Sequence, residues 1–474
     1  MADTPAMPLA LTFIVYLRCL GNAFVYDDNE MIVLNRFIGD WAMLWKSLVN
    51  DSWWFRNPLR LPQSAYYRPL QDVWLAVNDH LFGLSPPGWH LASVIVHLIA
   101  VWLVFAIARE LTTQRWTPAF AASFFGVLPI HAQAVVWPTA IPLPMSALFE
   151  MAALLCFIRR EPHRHMAFAI LFYAFALLSH ESAVVFPAIL AAYVIIFESG
   201  AEQRTRLRDR LRRAAFETWP FFAEVGIYLA VRMLVLGFIS RQNITNPMTA
   251  AQAILTLPSV LGVYALLLAA PWFAGPVHPV RVVSSPWSRD FVLPAVALGG
   301  ITAAFLLGSW GSPRRKLYLF CGLWLAASLV PVLNLQAFSP LALVEDRYLY
   351  FGSAPWCVMF AELIVGAIAD AELPLASVAA AGATVALVCT AILFHVEGFW
   401  HDEVALFSTC TRMSPNSTLC HDRLGLALKQ RGDLRQAENE FLIAQQLSPD
   451  DGANLYNLAL VRSQIGDTTQ AIAD

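Results

Sequence analysis

An all-helical, multi-pass membrane fold is what this chain predicts, on three observations. Its 474 residues are 58% hydrophobic and 14% charged, against roughly 45–50% apolar and about 25% charged in soluble domains. Its mean hydropathy is +0.56. The apolar residues come in successive runs that read as bilayer spans, while charge is confined to the connecting segments and the C-terminal part. The net charge of −3 therefore says little about partners, and no basic patch for nucleic acid is present. The first residues carry no basic stretch ahead of their apolar run, so no cleavable leader is expected.

The first span is read from Pro8 to Leu20, short against the roughly 20 residues a bilayer requires. Asp27 and Asp28 follow it directly. Residues 21–88 then form a first large external loop, in which Trp41, Trp45, Trp53 and Trp54 suit a membrane interface. Further spans are read at Trp89 to Arg109, Thr117 to Leu128, Ser146 to Ile158, Met166 to Leu178, Ala183 to Phe197, Trp219 to Gly237, Phe291 to Leu307, Leu317 to Val330, Tyr348 to Ala369 and Leu375 to Phe394. Basic residues are retained on the cytoplasmic side. The clusters Arg109 with Arg115, Arg159-Arg160 with Arg164, Arg204 to Arg213 and Arg314-Arg315-Lys316 therefore place Asp27 and Asp28 outside. The alternation of sides then works only if apolar residues 253–270, which hold Pro258 and precede Pro271, do not cross. They are expected to be re-entrant or membrane-lying, which leaves about 11 crossings and brings the final span out on the side of Asp27.

From about Glu397 the composition turns polar and repetitive. Leu424, Gly425, Leu428, Ala437, Phe441, Ala444 and Pro449 have the spacing of a tetratricopeptide helix pair, and Pro415 lies 34 residues before Pro449. Trp400 to Pro415 supplies a half repeat; Leu455, Leu458, Ala459, Gly466 and Ala471 begin another that stops unfinished, so the chain is expected to be truncated at Asp474. Two domains result, 1–396 in the membrane and 397–474 as repeats. The seven cysteines show no metal-ligand spacing; Cys410 and Cys420 are the two suited to pair.

Two carboxylates side by side at a membrane boundary repel and one pKa is expected to rise, so that one of them accepts a proton near neutrality, as a general base requires. The alternative is that they cap the next helix. Around them, Asn22-Ala23-Phe24-Val25-Tyr26-Asp27-Asp28, Tyr67-Arg68-Pro69-Leu70, Leu81-Phe82-Gly83-Leu84 with Trp89-His90-Leu91 and His97, Leu128 to Val135, Leu178 to Val185 with Pro187, Tyr228 with Arg232 and Gly237, and Glu345 to Tyr350 occur in one order. With the terminal repeats, this order resembles the transmembrane and tetratricopeptide-repeat O-mannosyltransferase family and its bacterial relatives, over essentially the whole chain.

That resemblance implies a GT-C fold glycosyltransferase that moves a sugar, mannose by family, from a polyprenyl-phosphate carrier to an acceptor hydroxyl of protein Ser or Thr. Asp27 and Asp28 stand at the family's catalytic acid pair. The chain departs from the family at Ile141 and Leu143, where an Arg and an Asp are usual, at Gln133, where an acid is usual, and at His180, where a Lys is usual. For the leaving phosphate the residues point to Arg68, Arg232 and Arg347, because a guanidinium stays charged and its fork matches phosphate oxygens. Arg232 lies within an apolar span; its structural alternative is snorkelling or pairing with Glu224, and that of Arg347 is pairing with Glu345 or Asp346. His131 and Glu181 sit at external span ends and join the site candidates, with structural hydrogen bonding as their alternative. His90 and His97 read as core residues.

No metal site is predicted, since the acid pair is suited to a divalent cation but has no evident third ligand, and the cofactor stays open between none and such a cation. The repeats suit an extended acceptor peptide, and Arg204 to Arg213 a topology anchor against anionic lipid. The sequons at Asn243 and Asn416 fall on the external side. The Arg-heavy composition points to a bacterial inner membrane. Two rivals remain: a transporter or flippase of lipid-linked sugar, and a catalytically inactive membrane scaffold for the repeats.

Overall fold

The computed structural model describes residues 3–57, 62–160, 164–198, 206–240, 248–339 and 342–467. The sequon at Asn243, the first residues of the basic run from Arg204, and Ala471 lie outside the described residues. Among those described, every regular element is helical. In chain order they are α1 (Ala6–Tyr16), α2 (Pro69–Phe82), α3 (Pro86–Leu111), α4 (Thr117–Gly126), α5 (Ala132–Val136), α6 (Pro142–Ile158), α7 (Arg164–Ser179), α8 (Phe186–Phe197) and α9 (Leu207–Leu236). There follow α10 (Ala250–Ala269), α11 (Arg289–Ser309), α12 (Arg315–Leu329), α13 (Tyr350–Asp370) and α14 (Leu375–Glu397), then α15 (Glu403–Met413), α16 (Thr418–Arg431), α17 (Leu434–Leu447) and α18 (Gly452–Ile465).

This is a multi-pass membrane protein. Seven helices, α3 and α9 to α14, are long and apolar enough to cross a bilayer, and α4 with Pro129–Val136, bent by 49°, is either a broken eighth span or a re-entrant loop. Four more apolar helices are shorter, at Ala6–Gly21, Pro142–Ile158, His165–Ser179 and Glu181–Phe197. The core lies where α3, α4, α6 and α13 meet, around buried Val104, Phe125, Met151 and Val358. By contrast, no residue in the apolar stretch of α11 is fully buried, as expected of a helix with a face toward lipid.

The charges sort the two ends of this bundle. Arg159 pairs with Glu110, Arg160 and Arg213 with Glu198 and Glu217, and Arg314 with Glu362 and Asp370. All belong to one end of their helices, and the loop holding Asp27 packs at the other. Both ends of α10 attach to the segment that joins α12 to α13. Gln336 Nε2 donates to Met248 O at 2.9 Å just before α10, and Gly275 N donates to Asp346 Oδ2 at 2.8 Å just after it.

The C-terminal helices pack in sequential hairpins. Gly432 and Gly466 end α16 and α18 with φ of 90° and 96°, left-handed caps that suit glycine. Gly425 lets α17 close in, since a Cβ there would meet the Phe441 ring at 2.8 Å. Ala437, Phe441 and Ala444 are wholly buried in the same crossing. Cys410 and Cys420 form a disulfide between α15 and α16.

Candidate active site

The loop that follows α1 is closed on itself. Asp28 N donates to Val25 O at 3.0 Å while Val25 N donates back to Asp28 Oδ2 at 3.1 Å, so the side chain replaces a strand partner. The other oxygen, Oδ1, accepts from Thr139 N at 3.0 Å and ties the loop to the turn between α5 and α6. Asp28 is fully buried by this. Closing so tight a loop forces Tyr26 to φ +53°, a left-handed backbone that a bulky residue adopts only when its surroundings impose it. The side chain of Asp27, next in line, is left aimed at a cavity of about 100 Å³.

That cavity is lined by Asp27, Arg68, Arg347, His180 and Leu143, with Trp53, Tyr66, Trp137 and Tyr348 as aromatic walls. Arg68 precedes α2 and is gripped by Glu181, with Nε to Oε2 at 2.9 Å and Nη2 to Oε1 at 2.7 Å. Its Nη2 also lies 2.9 Å from His180 Nε2, and His180 Nδ1 accepts from Ser182 N at 3.1 Å and lies 2.9 Å from Ser182 Oγ. Burial, with the Arg68 cation beside it, holds His180 down at about 3, so it is neutral. Arg347 lies over the Trp137 ring at 5.0 Å and beside Glu345 at 3.4 Å. Gln133 positions it: its amide donates to Glu345, and its Oε1 accepts from Arg347 N at 3.0 Å. An acid at 133 has no donor for Glu345, so the departure noted in the sequence has a local purpose.

Burial raises both acids. Asp27 is pushed up to about 6, against the pull of Arg347 in the other direction, and Asp28 to about 7, against the hydrogen bonds from Val25 and Thr139. Asp27 faces the cavity with no hydrogen-bond partner among the described residues, so it is placed to take a proton. Asp28 is spent on holding the loop.

The structure brings together some of the predicted residues and leaves others apart. Asp27, Arg68 and Arg347 share the cavity; Asp28 and Glu181 stand directly behind them. Arg232 does not line it. Its Nη2 donates to Ala65 O at 2.7 Å and its Nε to Ile239 O at 3.0 Å, so it fastens the loop ahead of α2 to the end of α9. Glu224 is no partner to it, its carboxylate oxygens being buried without a hydrogen bond among the described residues. His131 is also apart, bonded through Nε2 to Ser353 Oγ at 2.8 Å and packed on Phe125 and Tyr350. No cluster of three or more metal-ligating side chains occurs among the described residues.

Sequence reasoning missed Trp137, Tyr66 and the contribution of the C-terminal helices. Ala23 N donates to His401 O at 2.9 Å, Asn29 Nδ2 to Glu403 Oε1 at 2.8 Å, and Tyr26 packs on Phe407 with Arg423 over its ring. Nothing in the local pattern of a soluble helix signals such contacts.

No family model matches the chain. It is similar to a protein O-mannosyl-transferase of Caenorhabditis elegans, 23% identical over 453 residues, covering 93% of this chain and 62% of that protein. A protein O-mannosyl-transferase of Homo sapiens is 23% identical over 515 residues, covering 99% of this chain and 54% of its own length. One of Drosophila melanogaster is 38% identical over 127 residues, covering 27% of this chain and 15% of its own length. The chain thus spans little more than half the length of the relatives it matches end to end. Among solved structures, the oligosaccharyltransferase of Archaeoglobus fulgidus tethered with an acceptor peptide has a TM-score of 0.44 and 13% identity, covering 88% of this chain and 59% of that one. At that score no residue is carried across. By sequence, then, the chain is similar over most of its length to protein O-mannosyl-transferases of Caenorhabditis elegans and Homo sapiens.

Proposed function

We propose that this protein is a membrane glycosyltransferase that moves mannose from a polyprenyl-phosphate carrier to a Ser or Thr hydroxyl of a protein acceptor on the extracytoplasmic face. The observation that carries this reading is the single cavity in which the Asp27 carboxylate faces Arg68 and Arg347. Asp27 takes the proton of the acceptor hydroxyl. The oxygen then bonds to the anomeric carbon from the side opposite the phosphate. The bond from that carbon to the phosphate oxygen breaks, its electron pair leaving with the phosphate, and the sugar's configuration inverts. Arg68 and Arg347 balance the charge that develops on the phosphate. The names of the relatives supply the sugar and the class of acceptor.

In this reading residues 1–396 are the catalytic domain, with eleven crossings because α10 returns to the side it left, and 397–474 are tetratricopeptide repeats that present acceptor peptide. The Cys410–Cys420 disulfide supports an oxidising, extracytoplasmic setting for the repeats. The test is release of polyprenyl phosphate from polyprenyl-phosphate mannose by the purified full chain in nanodiscs, with Ser- and Thr-containing peptides as acceptors. Turnover coupled to mannosylated peptide is expected. Binding of the lipid without release of phosphate overturns the reading in favour of transport or scaffolding.

A further inference from the structure

The segment from Trp400 into α16 is joined to the loop of the acid pair and to the turn behind it. His401 O and Glu403 Oε1 accept from Ala23 N and Asn29 Nδ2 on either side of the acid pair. Trp400 stacks on Trp137 at 5.5 Å, behind the cavity wall. Between these, Tyr26 is enclosed by Trp137 at 5.5 Å, Phe407 of α15 at 5.9 Å and the Arg423 guanidinium of α16 at 5.6 Å. The enclosed residue is the one whose backbone is strained. The loop closed by Asp28 imposes φ +53° on Tyr26, and this packing fixes the Tyr26 side chain in that strained backbone, so that loosening it lets the adjoining Asp27 shift. Arg423 also has an Nε buried without a hydrogen-bond partner among the described residues. A cation is thus retained beside the acid pair where a simple structural contact is better served by an apolar residue.

We infer that α15 and α16 are part of the catalytic centre, with Arg423 a positioning residue that holds Tyr26 in its strained conformation and so aims Asp27 into the cavity. This rests on the reading of Asp27 as the base. The repeats then do more than present an acceptor: the hairpin next to the membrane completes the site, and α17 and α18 do not.

Arg423 acts on Asp27 through space as well. The groups whose charge Asp27 senses are Arg347, Arg56 and Arg423, which favour its ionised form in that order, and Glu30, which opposes it. Asp28 adjoins it, Glu403 holds the same loop, and Arg68 and neutral His180 line the far side of the cavity. Removing Arg423 therefore makes Asp27 harder to ionise, and the acidic limb of the rate profile moves to higher pH.

The experiment measures kcat/KM against pH for release of polyprenyl phosphate from polyprenyl-phosphate mannose, with a Ser/Thr peptide, using the full chain in nanodiscs. For Arg423→Gln the acidic limb is expected to move to higher pH, with kcat down about tenfold and KM for the lipid unchanged. Arg423→Lys returns the limb to its wild-type place. Phe407→Leu, which keeps every charge, lowers kcat and leaves the limb where it is. Leu458→Ala, distant in α18, changes neither. A wild-type profile and kcat in Arg423→Gln overturn the inference, as does an unchanged kcat in Phe407→Leu should the Arg423 variants not fold. Asp27→Asn separates the two readings: if it turns over like wild type, the base assignment falls first; if it is inactive while Arg423→Gln is normal, only this inference falls.

Discussion

Asp27→Asn is predicted to make the protein more stable while removing its activity, and the size of the gain follows from the site. Burial lifts the Asp27 carboxyl from 3.8 to about 6. Ionising it in the folded state thus costs up to about 3 kcal/mol more than in the unfolded chain, reduced to about 2 kcal/mol by water in the cavity. Because the folded value lies above the unfolded one, that cost is absent below about pH 4, grows as pH rises, and is complete above about pH 6. Asn has the shape of the protonated acid and escapes the cost at every pH. Thermal unfolding in detergent, followed by Trp fluorescence, should show Asp27→Asn ahead of wild type by about 2 kcal/mol at pH 8 and by about a third of that at pH 4.5. A variant no more stable than wild type at pH 8, or a gap equal at both pH values, refutes the picture of a dehydrated carboxylate facing the cavity.

Three further outcomes follow from neighbouring groups. Arg68→Gln leaves the Glu181 carboxylate part-buried and unpaired and is expected to cost about 3 kcal/mol of stability; adding Glu181→Gln should restore the melting point but not turnover. Arg347→Gln keeps the backbone bond to Gln133 and is expected to lower kcat about 100-fold with only a small change in melting. Replacing Cys410 and Cys420 with Ser opens a short loop and should destabilise the C-terminal helices by about 2–3 kcal/mol, read as faster protease nicking after Met413.

The parts of this molecule legible in its sequence are those that depend on local order. Apolar runs gave the membrane helices, and two adjacent acids marked the loop; α10, expected not to cross, is long and apolar enough to do so. What was not legible depends on distant partners. Arg232 is a buried cation by pattern, and only the fold shows that Ala65 O and Ile239 O occupy it. The division of labour within the acid pair is of the same kind. Nothing distinguishes Asp27 from Asp28 until Thr139, more than a hundred residues on, claims the second carboxylate. Arg423 reads as an ordinary polar residue of a soluble helix, and its place over Tyr26 exists only because α15 and α16 fold back on the loop.

The measurement that bears most directly on the central claim is single-turnover release of polyprenyl phosphate from polyprenyl-phosphate mannose by wild type, Asp27→Asn and Asp28→Asn, with lipid binding followed in the same nanodiscs. A cavity-facing base predicts at least about a 100-fold loss in Asp27→Asn with binding retained. Asp28→Asn should instead lose both activity and stability, since an amide can accept only one of the two backbone bonds Asp28 now takes. Wild-type turnover in Asp27→Asn contradicts the account.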